Sequence, residues 1–298
     1  MRHIIEIMWL NKIHRLSFTT QSDPSIIFHG SIRTKPIINI SHKMEVMKLK
    51  IRHIRHATSI LCINDLKILV DPVLGPKGTY PGIPNVPDQS RNPMTELPVS
   101  VDELLSCDMI LSTHTHNDHF DVLAKELLPK SIPVLCQPQD EDKLKTAGFT
   151  DISPVDRSIE WNGIQFTRTG GRHGHRIIAK RLAPVSGYII KAPGEPVIYL
   201  TGDAVWCPCV EKALTRYKPE VVICFSGEAR LHLGKPITMG TQDILEIHKT
   251  LPAARIIAVH FGTFNHCRLT RNALREFART EGFEQQLIIP ADGEYVYL

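Results

Sequence analysis

The six residues 114–119, with the sequence HTHNDH, contain four side chains that commonly bind metal ions. They follow the apolar run 109–111, which predicts a short buried strand. If the backbone is extended at His114 and His116, their side chains share one face and can hold a single cation. The turn that follows would bring Asp118 and His119 toward a second cation. The alternative is a polar turn with surface histidines, but such density is unusual where histidine is 15 of 298 residues.

Three more stretches place a histidine or an aspartate at the end of an apolar run or in a glycine-rich turn. Taken singly, each has an ordinary explanation as a turn or as a hydrogen-bonded strand end. Their interpretation as metal ligands depends on their order along the chain. The candidates are His173 and His175 in the turn 168–175, Asp203 after the run 197–202, and His260 after the run 256–259.

In this order the motifs resemble the metallo-β-lactamase superfamily, in which HxHxDH is followed by a distant His, a distant Asp and a final His. The resemblance implies that Asp203 bridges two cations. It implies His173 as the next ligand, with His175 as a nearby competitor. It therefore implies one cation held by His114, His116 and His173 and a second held by Asp118, His119 and His260.

The start of the patterned region and the HFGTF sequence at 260–264 look like one branch of this superfamily. That branch contains ascorbate-6-phosphate lactonase and N-acylphosphatidylethanolamine phospholipase D. The resemblance covers residues 47–298 and implies that His56 lies near the site and that Asp71 orients a ligand imidazole. For His56, a hydrogen-bonding role at a strand end is the equal alternative.

The implied chemistry is hydrolysis of an ester-type bond, a phosphodiester or a lactone, by a hydroxide that bridges two metal ions. Zn²⁺ suits the histidine and aspartate ligands best, with Mn²⁺ or Fe as alternatives. Asp118 would orient the nucleophile, and His266 or His56 would supply a proton to the leaving group. Asp203 stands where β-lactamases of the superfamily use a cysteine, which argues against antibiotic hydrolysis. The rival functions are an iron-dependent oxidoreductase of the same fold and a non-catalytic metal-binding module.

Short apolar runs alternate with helical patterns from residue 47 onward, which predicts an α/β fold. The resemblance implies a four-layer αβ/βα sandwich of two mixed β-sheets flanked by helices. The chain should open with a meander whose hairpin turns at Asn64-Asp65, and 72–98, with seven prolines, should be a long loop at the rim of the site. Helices are predicted at 121–128, 139–147, 242–249 after an N-cap at Thr241, and 271–280 after Thr270.

Residues 1–46 lack sustained periodicity. This predicts an N-terminal extension, either flexible or translated from a misassigned start, before a hydrolase domain over 47–298.

With 35 basic and 31 acidic residues the chain is nearly neutral, which argues against nucleic acid and favours a small-molecule substrate. No apolar run approaches the length of a transmembrane helix. The seven scattered cysteines, without a CxxC pair or a secretory signal, predict a cytoplasmic protein, and Cys207 and Cys209 are expected to be packing residues.

Overall fold

A computed structural model describes residues 49–298 with the exception of residue 233. The predicted extension over 1–46 lies outside the described residues. The helices, in chain order, are α1 Val101–Leu105, α2 Val122–Leu127, α3 Glu141–Thr146, α4 Arg176–Leu182, α5 Pro208–Tyr217, α6 Thr241–Thr250 and α7 Arg271–Thr280.

Fourteen strands lie in the described part of the chain and form two sheets of seven. In chain order they are β1 Lys50–Arg55, β2 Thr58–Ile63, β3 Leu66–Val70, β4 Met109–Leu111, β5 Val134–Cys136, β6 Ile152–Pro154, β7 Ser158–Trp161, β8 Ile164–Gly170, β9 Ser186–Lys191, β10 Ile198–Leu200, β11 Val221–Phe225, β12 Arg255–Val259, β13 Leu287–Ile288 and β14 Tyr295–Tyr297.

The two sheets have matching designs. The first has the order β14-β1-β2-β3-β4-β5-β6, antiparallel up to β3 and parallel beyond it. The second has the order β13-β12-β11-β10-β9-β8-β7, parallel from β13 to β10 and antiparallel from there to β7. Because consecutive parallel strands need a crossover, helices must cover the outer face of each sheet.

Alternate strand residues divide between an inner core and two outer cores, as the two-residue period of a strand requires. In β3, Ile68 and Val70 face the core between the sheets, while Leu69 faces outward among residues of α1, α2 and α3. In β10, Tyr199 likewise faces the outer core that contains α5, α6 and α7. The central strands are buried on both faces, which is why they appear in the sequence as uninterrupted apolar runs. The predicted four-layer αβ/βα sandwich is confirmed.

Local predictions were mostly correct. Asn64 and Asp65 both have positive φ, at 48° and 65°, as the tight turn between β2 and β3 demands. Thr270 caps α7, because its hydroxyl accepts a hydrogen bond from the Ala273 amide at 3.1 Å. The predicted cap of α6 was wrong: Thr241 is the first helical residue and Gly240 precedes it. The Asp243 carboxylate binds the Gly240 amide at 2.8 Å and supplies the capping contact instead.

Two features of α5 were not predicted. The helix starts at Pro208, whose fixed φ suits a first helical position. This turn brings the Cα atoms of Cys207 and Cys209 to 5.4 Å, and the two sulfur atoms form a disulfide. Cys207 also packs in the outer core, as expected, but its bonding partner was missed.

Gly202, in the turn after β10, allows the chain to pass close to β9. A Cβ atom there would lie 2.2 Å from the Ser186 carbonyl oxygen, and the residue has a φ of +62°. We expect Gly202→Ala to lower the free energy of unfolding by about 2–5 kcal/mol, from the left-handed conformation and the steric clash together. Denaturant unfolding of the metal-free protein measures this. Gly163→Ala is the control, because Gly163 has a φ of +77° but no atom within 4 Å of the added Cβ. It should lower the free energy of unfolding by only about 1–2 kcal/mol, the cost of the left-handed conformation alone. Equal losses in the two variants would show that the steric clash at Gly202 contributes nothing.

Candidate metal centre

The HTHNDH segment leaves the end of β4 and is fixed there by a buried carboxylate. Asp71, which follows β3, accepts hydrogen bonds from the Thr113 amide at 2.7 Å and from the Thr113 hydroxyl at 2.6 Å. Its Oδ2 also lies 2.9 Å from Nδ1 of His119. Nδ1 of His119 therefore donates to this carboxylate, which leaves Nε2 to face the site as the atom that could bind a cation.

Three imidazoles form the first group of candidate ligands: His114, His116 and His173. Nε2 of His114 lies 3.0 Å from Nδ1 of His116. Nδ1 of His173 lies 2.8 Å from the Ile237 carbonyl oxygen, to which it donates, so its Nε2 faces the group as an acceptor. His175, the competitor of His173, lines a different cavity and is not part of the group.

The second group consists of the three expected ligands, Asp118, His119 and His260, together with His56, which was not expected as a ligand. The Nε2 atoms of His260 and His119 face one another at 3.3 Å. The imidazole of His56 packs on that of His260 with ring centroids 3.6 Å apart. Nε2 of His56 also lies 3.6 Å from Oδ2 of Asp118.

Asp203 lies between the two groups. Its Oδ2 is 3.4 Å from Nε2 of His173 in the first group, and its Oδ1 is 3.3 Å from Nε2 of His260 in the second. The side chain is fully buried, and no backbone amide, lysine or arginine of the described residues donates to it. The nearest groups are imidazole nitrogens, among them Nε2 of His119 at 3.3 Å from Oδ2. A buried carboxylate without a backbone or cationic donor is costly unless a metal ion compensates it. The residues therefore fit a metal ion on each side of Asp203.

The electrostatics of the cluster also call for positive charge. Burial opposes ionisation of Asp203, but the imidazoles of His119, His260 and His173 hold its pKa well below the usual value. Burial opposes protonation of His119, yet the Asp203 and Asp118 carboxylates raise its pKa well above the usual value. No lysine or arginine of the described residues forms an ion pair with Asp71, Asp118 or Asp203. Cations at the centre would supply the charge that a proton on His119 supplies in their absence.

Two residues of this centre, which are joined by a backbone hydrogen bond, have strained backbone conformations. His56 has a φ of 54° and His260 a φ of 75°, and the His260 amide donates to the His56 carbonyl at 2.8 Å. Residues other than glycine rarely adopt this conformation, which costs about 1–3 kcal/mol and is concentrated at functional sites. In this conformation Nε2 of His260 lies 3.3 Å from Oδ1 of Asp203.

The centre opens into a cavity of about 370 Å³. His116, Asp118 and His173 line it together with apolar side chains. His266 also lines it, with Nε2 3.5 Å from Oδ2 of Asp118. His56 does not reach it. The apolar lining residues are Ile83, Leu182, Leu231 and Ile237.

The rim of the cavity includes part of the predicted loop, which contains no helix or strand between residues 71 and 98 in the described chain. Asn265, next to His266, binds this loop with its side chain: Oδ1 accepts from the Ile83 amide at 3.0 Å, and Nδ2 donates to the Asp88 carbonyl at 2.7 Å. The fully buried Arg55 holds the start of the loop by donating to the Val73 carbonyl at 3.3 Å. The loop is thus tied to the residues beside the centre.

Asp140 is a supporting residue that the sequence did not indicate. It is buried, and its Oδ1 accepts a hydrogen bond from the Thr115 hydroxyl at 2.8 Å, between the two histidines of the first group. Its Oδ2 accepts from the Gln137 amide at 2.8 Å. The contact spans 25 residues and arises only from the packing of the first sheet's crossovers, so no local pattern could reveal it.

The contact between Asp71 and His119 leads to a prediction. Replacing Asp71 with Asn should weaken metal binding by roughly 10–100-fold, because the amide no longer fixes the tautomer and orientation of His119. Competition with a fluorescent zinc chelator measures the affinity. Asp292→Asn is a control, since Asp292 lies near His53 and Arg271, outside the cluster. Equal affinity in wild type and Asp71→Asn would contradict the assigned contact.

Comparison with known proteins identifies the class of protein that this fold and site define. The chain matches the family described as β-lactamase superfamily domain over residues 67–261. It belongs to that superfamily and is a metal-dependent hydrolase of the metallo-β-lactamase fold. Among the described residues, no helix combines the length and the apolar character that crossing a bilayer requires.

Particular relatives narrow the comparison. The UPF0173 protein YddR of Bacillus subtilis is 38% identical over 251 residues, which are 83% of this chain and 98% of YddR. A crystal structure of isothiocyanate hydrolase from Delia radicum gut bacteria is 37% identical, with a TM-score of 0.80, over 83% of this chain and 98% of that one. The mitochondrial N-acyl-phosphatidylethanolamine-hydrolyzing phospholipase D of Saccharomyces cerevisiae is 22% identical over 78% of this chain and 52% of that protein. These findings confirm the resemblance to the hydrolase branch.

Proposed function

We propose that the protein is a binuclear metal-dependent hydrolase that attacks an uncharged electrophilic carbon in a small molecule. The observation that supports this most directly is Asp203, whose two carboxylate oxygens face imidazoles of both ligand groups at 3.3–3.4 Å. Zn²⁺ is the cation that the donor set suits best, with Mn²⁺ or Fe as alternatives. Once bound, two such cations would lower the pKa of a water molecule toward neutrality and stabilise developing negative charge.

The residues of the chain supply the remaining functions. Asp118 lines the cavity, where its carboxylate would accept a hydrogen bond from the attacking water and orient it. His266 lines the cavity, with Nε2 3.5 Å from Oδ2 of Asp118, and would supply the proton that the leaving atom requires. His56 is fully buried, and burial lowers its pKa to about 4 although Asp118 acts to raise it. Burial lowers the pKa of His266 as well, so the direction of the pKa shift does not separate the two histidines. We assign the proton donor to His266 because it lines the cavity and His56 does not.

The lining of the cavity favours carbon over phosphorus at the reacting centre. Enzymes that transfer phosphoryl groups surround the equatorial oxygens with arginine, lysine or metal ions, often in combination. Within the described residues, the catalytic cavity has no lysine or arginine among its lining side chains, and four of those side chains are aliphatic. A lactone, a carboxylic ester or an isothiocyanate fits this surface. Isothiocyanate is included because a relative 37% identical is an isothiocyanate hydrolase.

A substrate panel tests the proposal. The zinc-loaded protein should hydrolyse benzyl isothiocyanate to amine and carbonyl sulfide, or a γ-lactone to the hydroxy acid, and chelator treatment should abolish this turnover. Bis(4-nitrophenyl) phosphate should be the poorer substrate. Turnover of the phosphodiester alone would contradict the proposal that the attacked atom is carbon. Visible absorption from redox-active iron, with oxidation of a substrate, would instead favour an oxidoreductase.

A further inference from the structure

A second cavity of about 560 Å³ lies beside the catalytic cavity. The two share Leu231 and Ile237 as lining residues. The backbone carbonyl of Ile237 also accepts the hydrogen bond from His173. Leu231 and Ile237 therefore border both cavities, and the backbone of Ile237 is in direct contact with a proposed metal ligand.

The second cavity differs from the first in charge. Arg172, Arg176 and Lys235 line it together with His175, and no described carboxylate does. Within the described part of the chain, none of the three cations forms a salt bridge. Cations grouped without acidic partners create a local positive potential that attracts an anion.

Arg172 is the best placed of these cations to bind a ligand. One terminal nitrogen donates to the Trp206 carbonyl at 2.8 Å, which holds the guanidinium in place. Its Nε is buried and has no hydrogen-bond partner among the described residues. A guanidinium fixed at one end, with an unpaired N–H group, is suited to bind an oxyanion. Asp243, which acts electrostatically on His175, already accepts hydrogen bonds from the backbone amides of Trp206 and Gly240.

We propose that this cavity, here named the basic subsite and defined by Arg172, His175, Arg176 and Lys235, binds an oxyanion group at the end of the substrate remote from the reacting carbon. This inference rests on the proposed function, and it narrows the substrate class to molecules with an uncharged scissile group and an anionic end. The apolar residues Leu231 and Ile237 would contact the segment between those two ends.

A matched pair of esters tests the basic subsite in the zinc-loaded protein. The 4-nitrophenyl ester of pentanoic acid is neutral, and the mono-4-nitrophenyl ester of glutaric acid has the same chain length with a carboxylate at its end. In the double variant R176E/K235E, KM for the glutarate ester should rise by about tenfold or more, because charge reversal replaces attraction by repulsion. The kcat should change little, and KM for the pentanoate ester should stay the same. Both substituted residues are exposed, so folding should persist.

Lys180→Glu is the matched control. Lys180 is exposed on the same helix, α4, but does not line the cavity. If K180E raises KM for the glutarate ester as much as R176E/K235E does, the effect is general surface electrostatics and the proposal is wrong. Unchanged KM in R176E/K235E would also overturn it.

A binding measurement separates failure of this inference from failure of the proposed function. Calorimetric titration with inorganic sulfate needs no turnover. Sulfate should bind wild type and K180E alike and R176E/K235E about tenfold more weakly. If neither ester is hydrolysed but this pattern holds, the basic subsite stands and the proposed ester chemistry fails. Equal sulfate binding by all three proteins would overturn the basic subsite.

Discussion

Replacing Asp203 with alanine should lower both metal content and turnover more than any other single substitution. The carboxylate faces both groups of imidazoles, so its loss removes a ligand from each proposed cation at once. Loss of a partner that only supports a ligand reduces metal affinity or activity by about 10–100-fold. Loss of a shared ligand should therefore reduce kcat/KM by at least ~10³-fold, because water activation depends on both cations.

Metal analysis and kinetics on the same preparations test this prediction. Metal per chain and kcat/KM should fall together in Asp203→Ala. Asp156→Ala is the control, because Asp156 is an exposed carboxylate that lies 3.8 Å from Arg168 and belongs to neither ligand group. A variant of Asp203 that keeps its metal and its turnover would show that the residue bridges nothing.

His266→Ala should reduce turnover without reducing metal content. Removing a group that transfers a proton in the transition state costs about 10²–10⁴-fold in kcat. The loss should be large for an alkyl ester, whose alkoxide leaving group needs a proton. It should be small for a 4-nitrophenyl ester, whose leaving group departs as a stable anion. This dependence on the leaving group distinguishes proton donation from a merely structural role.

The control for His266 is His248→Ala. His248 stacks on Phe283 with ring centroids 5.1 Å apart and lines no part of the catalytic cavity. Its removal should leave the ratio of rates for the two esters unchanged. A His266→Ala variant that loses the same factor on both esters, or that loses metal, would refute the assignment.

The sequence was informative wherever the chemistry is local or ordered along the chain. The ligand types and the spacing at 114–119 predicted two neighbouring groups, and the structure brings those residues together. The order of His173, Asp203 and His260 added the remaining members through the resemblance to a known superfamily. The short uninterrupted apolar runs that alternate with helical patterns predicted the α/β class, because a central strand that packs on both faces is apolar throughout.

The sequence was uninformative wherever two distant segments meet. The Ile237 carbonyl that orients His173 is 64 residues away, and nothing local distinguishes His173 from His175. Asp140 reaches Thr115 only because β4 and β5 lie side by side. The two cavities are lined largely by loop residues, whose mutual positions no periodic pattern specifies.

Anomalous diffraction at the zinc edge from crystals of the metal-loaded protein tests the central claim most directly. Two peaks are expected, one among His114, His116 and His173 and one among Asp118, His119 and His260, each in contact with Asp203. A single peak, or peaks elsewhere in the protein, would contradict the binuclear centre.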